Sequence, residues 1–189
     1  MLREALQFLL DALLQPFAAI LLFRFHAVWL RVPMRNPLGE FIMVLTNFLV
    51  LPARRYVPTA WGYDSASVLL ALLVETIYLS ASVWTQGWVV SGFPIIGLLA
   101  WSVVKLLKLS VNILVLALLA QAILSWLGRT TSVSYLLSAV TQPFLSPLRR
   151  LLPLVGRIDL TPMLLFVICQ LILILPLGFI EQIVLHRLL

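Results

Sequence analysis

A chain of 189 residues that is 62% hydrophobic and 11% charged, with a mean hydropathy of +1.10, falls outside the soluble globular class, in which about a quarter of residues are charged. Its single cysteine, Cys169, sits inside an apolar run, which leaves no disulfide framework and no cysteine metal site. The net charge of +6 comes mainly from arginines that flank apolar runs, so it reads as a membrane-orientation signal and not as a nucleic-acid surface.

The first apolar run, about 6–30, contains Asp11, Gln15 and Arg24 and lacks a small-x-small cleavage site. It is expected to be a retained membrane span and not a cleaved leader. Further spans are expected at about 67–90, 109–127 and 161–185, each near the roughly 20 residues that cross a bilayer. Residues 93–108 are apolar but carry Lys105 and Lys108. They read as an interfacial connector or an aqueous extension of the third span, with a fifth span as the alternative.

The chain repeats itself about 95 residues on. Thr46 to Ile77 aligns without a gap on Thr141 to Ile172, placing Thr46 on Thr141, Pro52 on Pro147, Arg54 and Arg55 on Arg149 and Arg150, Pro58 on Pro153, and Asp64 on Asp159. Each copy follows an apolar segment that ends in a tryptophan, Trp29 or Trp126. The expected organisation is a first repeat over 1–92, the connector over 93–108, and a second repeat over 109–189.

The basic residues orient this plan. Arg31, Arg35, Arg54, Arg55, Arg129, Arg149, Arg150 and Arg157 lie in the two motif loops, against Arg3, Lys105, Lys108 and Arg187 on the other side. The positive-inside rule then puts both motif loops in the cytoplasm and both termini outside, so the repeats are parallel and not inverted. The fold class expected is an all-α integral membrane protein. It has four transmembrane helices as two parallel two-helix repeats, each with a Pro/Arg-rich cytoplasmic hairpin, re-entrant or interfacial.

Within the second motif, Pro143, Pro147 and Pro153 argue against a long regular helix. Pro147 suits the start of a short helix lying in the headgroup layer. There Arg54, Arg55, Arg149 and Arg150 could grip lipid phosphate or a carboxylate of a partner. Asp64 and Asp159 could cap the following spans, pair with their own arginines, or help form an anion or partner site. Thr161-Pro162 reads as N-cap and first position of the last span, and Ser65 or Asp64 as the equivalent cap in the first copy.

Ionisable groups inside spans are functional candidates by default. Arg24 stands five residues before Trp29 and Gln121 five before Trp126; Glu75 and Gln170 occupy matching places in the repeat. Arg24 with Glu75, and Gln121 with Gln170, are therefore expected as intramembrane polar pairs. In this register Asp11 falls opposite Lys108, a possible pair between the halves. His26 and His186 lie on opposite sides and cannot share a metal or haem. Trp84, Trp88 and Trp101 are expected at one interface, and Trp29, Trp61 and Trp126 at the other. No catalytic constellation, metal site or cofactor site is read from the chain.

The pattern Gln142-Pro143, Pro147, Arg149-Arg150, Pro153, Gly156, Asp159 and Thr161-Pro162, doubled across nearly the whole chain, resembles the bacterial YggT family and its YlmG and chloroplast relatives. The first copy departs from it, with Phe48 at the first proline and Ala66-Ser67 at Thr-Pro. The resemblance implies an inner-membrane protein without enzymatic activity, linked to osmotic-stress tolerance, cell division and membrane organisation, and in plastids to cytochrome assembly. The function expected is a scaffold or assembly factor whose partners are anionic lipid headgroups and other membrane proteins. The alternative is a small-cation transporter or channel using Arg24 and Glu75.

Overall fold

A computed structural model describes residues 1–57, 64–87, 95–126, 131–151 and 159–188. Trp61, Trp88, Pro58, Pro153, Gly156, Arg129 and Arg157 lie outside the described residues, as do the side chains of Trp126 and Arg187. The described residues are almost entirely helical: α1 Leu2–Trp29, α2 Pro37–Ala53, α3 Ser65–Gln86, α4 Ile95–Trp126, α5 Ser132–Leu151, α6 Thr161–Ile174 and α7 Pro176–Leu188. Among the described residues, four helical stretches are long and apolar enough to cross a membrane: Leu2–Trp29, Ser65–Gln86, Ile95–Leu124 and Thr161–His186. The last spans the α6–α7 break, where Pro176 opens a new helix at its first position.

Residues 95–108 are not a separate helix. They form the first part of α4, whose 32 residues give a rod of about 48 Å, longer than a bilayer core of about 30 Å. The motif loops also prove more helical than their prolines suggest. α5 continues through Pro143 and Pro147 to Leu151, where a helix limited to the region after Pro147 was expected. Each proline removes one backbone donor. In an apolar setting, though, leaving the rest of the backbone unpaired would cost more than a locally incomplete ladder.

The first motif loop, read over residues 31–66, contains the 17-residue α2. Asn36 is its N-cap, accepting from Gly39 N–H at 2.9 Å, and Pro37 occupies the first turn. This Asn-Pro signal is local and sufficient to start a helix. α1 ends with Arg31 in the left-handed region at φ 53°, and Val32 N–H returns to Ala27 O.

α1 and α3 form the most extensive helix pair, and α4 packs against α1, α3, α5, α6 and α7. Small cores form at matching places in the repeat. Ala18, Leu21, Val50 and Val74 share one cluster; Val115, Leu118, Leu145 and Cys169, their counterparts in the repeat register, share another. The outward faces are apolar: Leu69, Leu73 and Ile77 on α3, Met163, Val167 and Leu171 on α6, and Phe41, Val44, Phe48 and Leu51 on α2 are all exposed. Polar residues are buried and hydrocarbon faces outward, as expected where the surroundings are lipid. Trp84 and Trp29 are exposed, whereas Trp101 is buried against its neighbours.

Gly39 fixes how tightly the α1–α2 connection closes. A Cβ there would stand 2.9 Å from Met34 Cα and nearer still to its carbonyl, and backbone cannot swing aside as a side chain can. Gly39→Ala is expected to destabilise the protein by about 1–3 kcal/mol, read as a lowered melting temperature in detergent.

Candidate functional site

At one end of the bundle, where α1 ends and α3 begins, Asp64 is the centre of a buried ionic cluster. Its carboxylate accepts from Arg24 Nε at 3.0 Å and from Arg54 Nε at 3.3 Å, with Arg54 Nη2 at 3.0 Å and Ser67 Oγ at 2.8 Å. Arg24 Nη1 also donates to Thr46 Oγ1 at 2.6 Å and Asn47 Oδ1 at 2.9 Å. Arg24 is 0% and Asp64 1% exposed. Burial pushes the Asp64 carboxyl up, but the Arg54 and Ser67 hydrogen bonds and the two guanidinium charges outweigh it, leaving Asp64 below the usual carboxylate range. α1, the end of α2 and the start of α3 are thereby joined at one carboxylate.

The second half repeats the frame with weaker chemistry. Arg149 Nε donates to Asp159 at 3.0 Å, matching Arg54 with Asp64. Asp159 also accepts from Thr161 N–H at 3.0 Å, so the carboxylate secures the first turn of α6. The N-cap is Leu160, one residue before the Thr161 expected. Thr161, its hydroxyl and backbone N–H together, holds the Asp159 carboxyl below its ordinary value, with Arg149 contributing. Gln121 occupies the place of Arg24 and accepts from Thr141 Oγ1 at 2.6 Å, as Arg24 meets Thr46. A neutral amide replaces the buried guanidinium.

In each arginine pair one member is used and the other is not. Arg54 and Arg149 bind the aspartates. Arg55 and Arg150 are exposed and make no ion pair among the described residues.

The expected pairing of Arg24 with Glu75 is not what the structure contains. α1 and α3 run antiparallel: Gln7 meets Ser82 and Thr85, Asp11 meets Tyr78, Gln15 meets Glu75 at 3.4 Å, and Arg24 meets Asp64. The two charges are thus separated by about nine residues of α1, roughly 14 Å, which exceeds what an arginine can span. Gln121 and Gln170 are not paired either: Gln121 bonds Thr141 and Ser138, and Gln170 makes no side-chain hydrogen bond among the described residues. Asp11 does not meet Lys108, which binds Glu181 instead.

Glu75, midway along α3, borders a second polar region that extends away from Asp64. A cleft of 420 Å³ opens there between α1, α3 and α4, lined by Gln15, Glu75, Tyr78, Lys105, Lys108 and Asn112 among others. Beside it, Glu181 of α7 receives Lys105 at 2.9 Å, Lys108, and Trp101 Nε1 at 3.0 Å. Glu181 was missed in the sequence. Its signal was a lone acid in the last apolar span, with Lys105 and Lys108 three apart on one face of α4. Thr46, Asn47 and Ser67 were also missed as ligands of the buried charges.

With this geometry in view, comparison places the chain in the CCB3/YggT family: the family's model matches residues 3–85 and again residues 100–180. The chain is 34% identical to the protein PA0392 of Pseudomonas aeruginosa over 173 residues, covering 90% of this chain and 87% of that one. It is 33% identical to the YggT protein of Escherichia coli K12 over 170 residues, covering 89% and 87%. A Haemophilus influenzae protein is 31% identical over 147 residues, 77% of each chain. No solved structure matches it.

Two expectations follow. Asp64→Asn strands two guanidinium groups, one fully buried, and is expected to cost about 3–5 kcal/mol. The Arg149–Asp159 pair, with side chains 40% and 32% exposed, is expected to cost about 1 kcal/mol or less on Asp159→Asn. Thermal unfolding of both variants in detergent tests the ranking. Both carboxyls titrate below the ordinary 3.8, so their contribution is present at neutral pH and is lost as pH falls through the lowered values. Second, Arg24→Gln and Glu75→Gln should be additive within about 0.5 kcal/mol, because the sites are far apart and share no partner. A double variant milder than the sum would restore the direct pair.

Proposed function

We propose that the chain is a non-enzymatic scaffold of the bacterial inner membrane, built as two parallel repeats whose short helices dock anionic lipid headgroups or the acidic surface of a membrane partner. The observation that carries this reading is the division within each Arg-Arg pair. The first arginine ties the short helix to the following span through an aspartate. The second stands exposed at the same helix end. A guanidinium so placed suits bidentate contact with phosphate or carboxylate.

The contact pattern supports the parallel arrangement: α1 packs on α4 and α2 on α5, equivalent helices facing one another. α1 and α4 progress in the same direction, since Leu106 shares the cluster of Ala18 and Ala117 that of Ala27. An apolar cavity of 340 Å³ lies between α1, α2, α4 and α5, lined by Ile20, Phe23, Phe41, Leu116, Leu137 and neighbours. Its lining suits an acyl chain. Cytoplasmic placement of the motif end follows from the arginine bias, and osmotic-stress tolerance or cell division is the setting that the family resemblance suggests.

The test is retention of phosphatidylglycerol or cardiolipin by the purified full chain, measured by native mass spectrometry. At about 1 kcal/mol per basic residue near an anionic surface, Arg55→Gln with Arg150→Gln should weaken retention by roughly tenfold or more. The Lys-Lys variant should fall between, since it keeps charge and loses the planar fork. Unchanged retention in the Gln-Gln variant, with no loss of co-purifying membrane proteins, would reject the docking role.

A further inference from the structure

Glu75 is 2% exposed, and its Oε2 is buried without a hydrogen-bond partner. Its other oxygen has only the 3.4 Å contact from Gln15. The residue nevertheless lines the 420 Å³ cleft, so the unsatisfied oxygen borders space that a ligand can enter. Burying a carboxylate oxygen unpaired costs free energy, and each such oxygen in a folded protein calls for an explanation.

The surrounding charges narrow the choice. Lys105 and Lys108 both bind Glu181 from α4. Asp11 of α1 is met by neutral groups, the Gln7 amide and the Tyr78 hydroxyl. The cleft is lined by one carboxylate, Glu75, and by two ammonium groups, both held by Glu181; Glu75 itself makes no ion pair among the described residues. Gln15 and Asn112 add side-chain carbonyl oxygens to the same cleft, and Tyr78 and Ser82 add hydroxyls. One carboxylate beside these neutral oxygens, with the two ammonium groups of the lining held by Glu181, leaves room for a single positive charge. A divalent ion in an all-protein site takes several charged ligands.

We propose that this cleft binds a monovalent alkali cation, with Glu75 Oε2 as the charged ligand and the oxygens of Gln15 and Asn112 completing its shell. The site goes beyond the docking role at the other end of the bundle and stands or falls without it. The second half has lost it: Gln170 stands where Glu75 does in the first, so one such site is expected per chain.

Two measurements on the full-length protein in detergent decide this. Melting temperature is followed as NaCl or KCl replaces N-methyl-D-glucamine chloride at constant ionic strength. A saturable rise on the order of 3–6 °C at ten times the Kd is expected, absent in Glu75→Gln, the side chain that the second half already carries. Because that variant could fail to fold, wild-type protein is also labelled with dicyclohexylcarbodiimide and the modified carboxyl located by mass spectrometry. Na+ or K+ should slow labelling at Glu75 severalfold while the glucamine salt does not. An equal rise in wild type and Glu75→Gln, or labelling indifferent to the cation, overturns the proposal. Labelling governed by pH alone assigns the oxygen to a proton and overturns it as well.

Discussion

The organisation of the first half depends on one carboxylate that two arginines share. Asp64 receives Arg24 from α1 and Arg54 from the end of α2, while itself beginning α3. Isolated, each charge would be expensive in a hydrocarbon setting. Together they remain tolerable because Thr46, Asn47 and Ser67 take most of the remaining donors and acceptors. The geometry is over-determined: moving any one of the three segments breaks several charge-assisted bonds at once. Among the described residues of this cluster, Arg24 Nη2 is the buried side-chain atom left without a hydrogen-bond partner.

The second half shows what this frame needs and what it does not. Arg149–Asp159 keeps the link between short helix and span, and Gln121–Thr141 keeps the link between long helix and short helix. The buried guanidinium is gone, so the three-way ionic junction becomes two separate contacts. Desolvating an ion pair offsets much of its attraction, and neutral replacements of similar size can be as stable. The shared part of the two halves is therefore geometric. The electrostatics differ: among the described residues the buried charged side chains, Arg24, Asp64 and Glu75, all belong to the first half.

Spans were legible because a long run of apolar residues has one physical solution in lipid, and the Arg–Asp links were legible because both copies hold them ten residues apart. The short helices were not. Proline spacing argued against α5, yet a backbone in an apolar setting retains every hydrogen bond it can, and the Asn36-Pro37 start of α2 went unused. The partners of Arg24 and Glu75 failed for a different reason. Depth estimated from helix ends gives no register between helices, and the antiparallel rule that Gln7, Asp11, Gln15 and Arg24 obey against α3 exists only once the helices are packed. Glu181 likewise became meaningful only when α7 returned beside Lys105 and Lys108.

That same register bears on whether the two polar regions communicate. Along α1, polar positions face α3 at Gln7, Asp11 and Gln15, and again at Arg24. Between them stand Ala18, Leu21 and Leu22, all at most 4% exposed, packed with Ala71 and Val74 of α3 and Leu106 of α4. This apolar layer spans most of the roughly 14 Å between Gln15 and Arg24. An ion leaving Glu75 toward Asp64 would have to shed every oxygen ligand to cross it, and would then meet a cluster with two guanidinium groups to one carboxylate, which repels cations. The arrangement therefore favours a cleft that stops at Glu75 and a separate anchoring junction at Asp64 over a continuous path through the bundle.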